Sequence, residues 1–330
     1  MLSLTDVDVV MREVVSFACE LCCQVQAGMG ELRSISKQDR SPVTVADFGA
    51  QALVSARLAQ AFSDIPLVGE EDAQALRAND ALADEVTRAV WAVEPELSKA
   101  DVLAAIDAGT AAGGPADRFW VLDPIDGTKG FLRGEQYAVA LALLENGRVV
   151  AGVLGCPSLP LSLGTENTTR GCMYSAVLGQ GTWEWPLESA GGDSAPRRVR
   201  VADTTDASQA VVCESVEPAH SDRELSGLLA RRLGIASPAV RIDSQCKYAV
   251  LARGEASVYL RLPTRSDYVE KIWDHAAGSL ILSEAGGQVS DIEGRPLDFS
   301  RGRLLAGNTG VIATNGLLHA AVLAALQESV

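Results

Sequence analysis

Apolar positions recur along this chain in two periods, and the change of period divides it. Val7, Val10, Met11, Val14, Ala18, Leu21, Cys22 and Val25 fall at helical spacing. Thr5 precedes them as an N-cap, and Gly28 and Gly30 end the run. "DRSPVTVADFGAQALVSARLAQAF" predicts a loop and a second helix, with Thr44 as cap and Asp47 three residues on, in capping-box spacing. "DIPLVGEED" is a short apolar strand that ends in acids, and 72–108 is polar-rich and helical, with a break at Pro95. Strands then dominate. "RFWVLD" precedes "YAVALALLENGRVVAGVLGC", where Asn146-Gly147 between two apolar runs predicts a hairpin. "GCMYSAVLGQGTWEW" predicts another.

The linker-like stretch "ESAGGDSAPRR" at 188–198 is the clearest shift in composition. It places a boundary between an α+β segment, 1–190, and an α/β segment, 191–330. In the second segment the strands "AVVCESV", "VRIDS" and "ASVYLRLP" alternate with helices over 222–233, 245–253 and 274–285, a pattern of layers.

Composition narrows the function classes. Lys plus Arg is 28 and Asp plus Glu is 43, so the net charge is −15. Such a chain is expected to be soluble and not to bind nucleic-acid polymers non-specifically, although local basic residues or metal ions still allow a small anion. No membrane span and no targeting segment is visible, which makes the cytoplasm the expected location. A trimmed organellar precursor would look the same. The seven cysteines lack disulfide-framework spacing, and Cys19, Cys22 and Cys23 are expected to be buried small hydrophobes.

The chemistry lies in acids at the ends of elements. In "FWVLDPIDGTKGFLRG", Asp123 and Asp126 follow a buried strand. Pro124 pushes Asp123 toward extended geometry and Gly127 permits a turn. Both carboxylates and the Ile125 carbonyl can then face one side, and oxygen donors suit a hard divalent cation. Taken alone the hexapeptide "DPIDGT" fits an Asp-rich turn or helix cap equally well. Three further segments add acids of the same kind: Glu70 and Glu71 in "LVGEED", Asp274 in "KIWDHAAGSLILSEAGG", and Asp47 in "PVTVADFGA". The plain alternative for Asp274 is an N-cap, and for Asp47 the capping box.

"GEE", "DPIDGTKGF" and "WDHAAGSLILSEAGG" resemble the signatures of the lithium-sensitive, magnesium-dependent phosphatases of the inositol monophosphatase superfamily. "SPVTVADFGAQ", "GVLGCPSLP", "DSQCKYAVLARGEASVYLRLP" and "YVEKIWDHAAG" are similar to its 3′(2′),5′-bisphosphate nucleotidase branch. The resemblance implies a layered α-β-α-β-α sandwich of two subdomains, the N-terminal one binding metal and the C-terminal one binding nucleotide. It implies Glu70, Asp123, Asp126, Asp274 and the Ile125 carbonyl as ligands of two or three Mg²⁺ ions. Asp47 and Thr128 would activate the attacking water. His220, Ser221, Ser244, Lys247 and Arg261, with Thr128 and Asp274, would hold the substrate. The plain alternatives are an exposed strand residue for Arg261 and a helix-surface charge for Lys247.

The implied activity is removal of the 3′-phosphate from adenosine 3′,5′-bisphosphate, with the sulfated analogue as a further substrate. Inositol polyphosphate 1-phosphatase or inositol monophosphatase activity shares the metal set and stays open as an alternative. A non-catalytic sensor of the bisphosphate is a third reading. The expected partner is a small nucleotide, with no membrane, nucleic-acid polymer or obligate protein partner implied.

Overall fold

The computed structural model describes residues 3–32, 42–115, 118–164, 169–187, 195–217, 221–265 and 267–328. Five layers alternate, as expected: helices, sheet, helices, sheet, helices. Helices α1 (Leu4–Leu32) and α2 (Pro42–Ala61) form the first layer, flanked by α3 (Gln74–Ala78), α4 (Asp80–Trp91) and α5 (Lys99–Asp107). The first sheet follows, in the order β1 (Leu67–Gly69), β2 (Arg118–Asp126), β3 (Ala138–Glu145), β4 (Arg148–Pro160), β5 (Arg170–Val177), β6 (Gly181–Pro186) and β7 (Arg197–Val199). A short helix, α6 (Thr128–Arg133), leaves the end of β2.

The second sheet has the order β11 (Gln288–Ser290), β12 (Val311–Thr314), β10 (Val258–Arg261), β8 (Val212–Glu214) and β9 (Val240–Arg241). Helices α8 (Cys246–Ala252) and α9 (Ala276–Glu284) lie between the sheets, while α7 (Arg223–Arg232) and α10 (His319–Gln327) cover the far face.

Strand alternation explains this stacking. On β2, Trp120 and Leu122 join the core shared with α1 and α2, whereas Phe119 and Val121 join the core under α8 and α9. Tyr259 of β10 faces that middle core, and its neighbours Val258 and Leu260 face α10. A strand buried on both faces reads as a continuous apolar run, which is how "RFWVLD" and "YAVALALL" look. The hairpin at Asn146-Gly147 joins β3 to β4 with both residues at positive φ, 52° and 73°, as a type I′ turn requires.

Several helix ends differ from expectation. Helix α1 begins at Leu4, before Thr5, and runs past Gly28 and Gly30. Ser3 takes the capping role: its hydroxyl accepts from the Asp6 N–H at 3.2 Å, and the Asp6 carboxylate accepts from the Ser3 N–H at 3.1 Å. Thr5 instead donates to the Gln180 side chain at 3.4 Å. Helix α2 begins at Pro42, where a proline loses no helical bond, so Thr44 lies inside the first turn. The side chain of Thr44 falls outside the described residues. Cys19 and Cys22 are buried as expected, but Cys23 is exposed, its sulfur 3.6 Å from the Tyr137 hydroxyl.

The middle layer depends on a close approach of α8 and α9. A Cβ built at Gly278 would lie 2.2 Å from Cδ2 of the buried Tyr248. Gly278→Ala is therefore expected to destabilise the fold by about 1–3 kcal/mol, the usual scale of overpacking. A lowered urea midpoint at unchanged m-value would show it, and an unchanged midpoint would contradict it.

Candidate active site

The acids converge because four elements end at one place. Strand β1 pairs in parallel with β2, with Gly69 opposite Leu122, so Glu70 follows β1 beside Asp123. The β2–β3 register shifts between Asp123 and Asp126, around Pro124, which cannot donate a ladder bond. Gly127 then turns with φ 89°, and Thr128 opens α6. The Thr128 hydroxyl is 3.5 Å from the Ile125 carbonyl, to which it donates. Helix α2 supplies Asp47, which is 6 % exposed and sits beside Glu70 and Glu71.

Asp274 is not a helix cap. Helix α9 starts at Ala276 with His275 in the cap position and no side-chain cap bond. The Asp274 carboxylate turns instead to Arg261, 3.2 Å from its guanidinium.

The cleft they enclose holds about 340 Å³. Glu70, Asp123, Ile125, Asp126, Thr128, Ser244, Lys247, Arg261 and Asp274 all line it. Asp47 stands behind Glu70 and is near enough to raise the Asp123 carboxyl. Ser221 is buried and does not line the cleft: its hydroxyl donates to the Leu260 carbonyl at 3.2 Å and accepts from the Leu262 N–H at 3.1 Å. His220 lies outside the described residues.

Acids and cations share the lining of the cleft. Burial, then Glu70 and Asp126, push the Asp123 carboxyl well above its ordinary range. Burial and the carboxylate of Asp274 bring Glu70 up to about 7. Asp126 rises to about 6 through burial and Asp274, with Lys247 and Arg261 pulling the other way. Burial, followed by Glu71 and Glu70, raises Asp47 strongly, and burial raises Asp274. Within this group Asp123 Oδ1 is buried and has no hydrogen-bond partner.

Crowded carboxylates that repel one another, with a buried oxygen left over, fit a hard divalent cation. Glu70, Asp123, Asp126, Asp274 and the Ile125 carbonyl could hold it.

Lys247 is not a helix-surface charge: it is 4 % exposed, donates to the Ser244 carbonyl at 2.7 Å and to the Ile242 carbonyl at 3.3 Å, and lies 5.1 Å from the Tyr259 ring centre. Burial lowers the pKa of its ammonium group. Ser244 just before it adopts φ 64°, unusual for a residue with a side chain. Arg261 is likewise no exposed strand residue. It forks onto Glu270, Nε to Oε1 at 2.9 Å and the second arm to Oε2 at 2.8 Å.

Three supporting residues carried no signal in the sequence pattern. Gln245 donates its backbone N–H to Asp126, gives its side-chain amide to the Trp273 carbonyl at 2.9 Å, and accepts from the Gly278 N–H at 3.0 Å. Arg303 lies over the Trp273 ring and donates to the carbonyls of Gly69, Gly109 and Ala111, fixing the chain just before Glu70. Gln51, one turn beyond Asp47, brackets Glu71 with bonds to its carbonyl at 2.6 Å and from its N–H at 3.0 Å. Glu270, Asp274 and His275 also approach one another closely enough to suggest a metal cluster. Glu270 and His275 already have protein partners on both oxygens and both ring nitrogens.

A five-layered fold that ends four elements on one acid cluster defines a class. Residues 11–330 match the sequence profile of the inositol monophosphatase family, and the chain belongs to that family. Within it, the chain is 45% identical over 318 residues to a 3′(2′),5′-bisphosphate nucleotidase of Emericella nidulans, covering 89% of this chain and 90% of the relative. It is also 45% identical over 342 residues to a 3′(2′),5′-bisphosphate nucleotidase of Oryza sativa, covering 97% and 93%. Among solved structures, the fold is similar to that of an IMPase of Thermotoga maritima, with a TM-score of 0.62 at 20% identity over 97% of this chain and 96% of the other. It is similar too to SuhB of Mycobacterium tuberculosis, with a TM-score of 0.59 at 23% identity over 97% and 96%. No helix among the described residues is long and apolar enough to cross a membrane.

The raised carboxyls fix the sign of a pH effect. Without divalent cations, Glu70 and Asp126 bind protons more tightly folded than at their ordinary values of 4.5 and 3.8. Their stabilising contribution is complete below about 4 and is lost as pH rises through about 6 to 7. Glu70→Gln removes a charge that the cluster carries at pH 8 and largely lacks at pH 5. The cation-free variant should gain about 1–2 kcal/mol over the parent at pH 8, and less at pH 5, in urea unfolding. A gain that grows toward acid pH would contradict this electrostatic account.

Proposed function

We propose that this chain is a Mg²⁺-dependent phosphomonoesterase that removes the 3′-phosphate of adenosine 3′,5′-bisphosphate, giving the 5′-monophosphate and inorganic phosphate. The observation that carries the reading is the presence of acids and cations together in one cleft. Asp123, with its buried, unpartnered oxygen, and the buried cation of Lys247 with Arg261 line the same cleft. The names of relatives at 45% identity support the choice of substrate.

In this reading Glu70, Asp123, Asp126, Asp274 and the Ile125 carbonyl hold two or three Mg²⁺ ions. Bound there, such ions neutralise phosphate charge and lower the pKa of water. The chain's own groups do the rest. A water oxygen attacks phosphorus, the bond to the 3′-oxygen breaks, and that oxygen gains a proton. Thr128, at the turn beside Ile125, holds the water and passes its proton toward Asp47, whose carboxyl has a raised proton affinity. Lys247, Arg261 and Ser244 receive the second phosphate and the ribose, with His220 as a further contact on the nucleotide side, while Ser221 braces the end of β10 from behind. Removal of the same 3′-phosphate from the sulfated analogue uses the same groups.

Two experiments test the reading. In a panel of adenosine 3′,5′-bisphosphate, inositol 1,4-bisphosphate and inositol 1-phosphate with Mg²⁺, the nucleotide should give by far the highest kcat/KM. Equal or better rates on an inositol phosphate would move the assignment to that branch, and tight nucleotide binding without phosphate release would make the chain a sensor. Lys247→Met, close in shape, should raise KM for the bisphosphate about tenfold or more, the scale of a lost charged hydrogen bond. An unchanged KM would remove Lys247 from the substrate side.

A further inference from the structure

Behind Arg261 lies a buried chain of side chains that the reaction itself does not use. Tyr248, His275 and Glu270 are 1 %, 0 % and 7 % exposed. The Tyr248 hydroxyl lies 2.8 Å from His275 Nδ1, and His275 Nε2 lies 3.2 Å from Glu270 Oε2. The tautomer with its proton on Nε2 fits both contacts, with Tyr248 donating to Nδ1 and Nε2–H donating to the carboxylate. Glu270 in turn receives both arms of Arg261, and one of those arms also reaches Asp274 at 3.2 Å.

Arg261 thus stands between two carboxylates, one of which is a candidate cation ligand. A guanidinium prefers a planar two-point partner. Glu270 offers it that fork, at 2.9 and 2.8 Å, while Asp274 offers one longer contact. Were the fork absent, the same arms would close fully onto Asp274 and compete there with a cation.

We propose that Glu270 is a positioning residue: fixed by His275 and Tyr248, it holds the Arg261 fork and so leaves the Asp274 carboxylate open to a divalent cation. This rests on the metal-dependent reading given above. It accounts for the close approach of Glu270, Asp274 and His275 without a further metal, because Glu270 and His275 are saturated by protein partners.

The test is direct titration of the full chain with Mn²⁺, followed by the loss of free-ion signal in electron paramagnetic resonance. Glu270→Asp keeps the charge but shortens the side chain, so the fork cannot form as before. Glu270→Gln keeps the length but removes the charge. Both variants are expected to bind Mn²⁺ about five- to tenfold more weakly than the parent and to raise the Mg²⁺ concentration for half-maximal activity in parallel. Tyr248→Phe, which keeps the ring and removes only the hydroxyl, should give a smaller shift in the same direction and covers the case in which a Glu270 variant does not fold. Loss of affinity in Glu270→Gln alone would mean that Glu270 acts only through its charge, and would overturn the proposal. Lowered Tm with unchanged Mn²⁺ affinity in all variants would reduce Glu270 to a structural role and overturn it as well. If the parent binds no Mn²⁺, the metal-dependent reading itself falls, a different outcome from parent and variants binding equally.

Discussion

The mutual repulsion of carboxylates at the end of β2 is the constraint on which the site depends. Asp123 is 2 % exposed, and Glu70, Asp126, Asp274 and Asp47 all raise its carboxyl further. A buried charge without a partner is unfavourable, so the fold must hold these groups in place. It does so with groups from separate layers. Gln51 on α2 brackets Glu71, Arg303 ties down the chain before Glu70, and Gln245 before α8 donates to Asp126. Such strain at a functional site is expected where a bound cation restores the balance.

The two sheets divide the work. Strands β1 and β2 of the first sheet deliver Glu70, Asp123 and Asp126, and α6 delivers Thr128. The approach to the second sheet delivers cations: Lys247 from α8 and Arg261 from the end of β10. Asp274, between the layers, bonds to Arg261 and repels Asp126. An acidic chain of net charge −15 can therefore present a locally mixed cleft to an anion.

Much of this was legible in the sequence because it is local. Apolar runs, the Asn146-Gly147 turn and acids at strand ends are properties of short windows, and they gave the strands, the hairpins and the candidate acids, while the five-layer sandwich and the ligand set were expected from the family resemblance. Other features depend on partners distant in sequence. Thr5, Thr44 and Asp274 had the local chemistry of caps. Ser3, Pro42 and His275 hold or adjoin the observed helix starts instead, because the surrounding packing sets where each helix begins. Lys247 and Arg261 match surface charges by spacing alone, and only the layer above buries Lys247 and pairs Arg261. Gln245, Arg303 and Glu270 act through backbone carbonyls or second side chains that periodicity does not reveal.

The central claim is that the acid cluster is built for divalent cations, and proton release tests it most directly. Glu70 and Asp126, with values near 7 and 6, are partly protonated at mildly acid pH in the cation-free protein. Ligation requires the carboxylate form, so binding must expel those protons. Adding Mg²⁺ to the cation-free chain in unbuffered solution at about pH 6 should release at least about one proton per chain, with Asp123 adding to the yield of Glu70 and Asp126, and the release should saturate with the cation. No release, or a release that never saturates, would contradict the account.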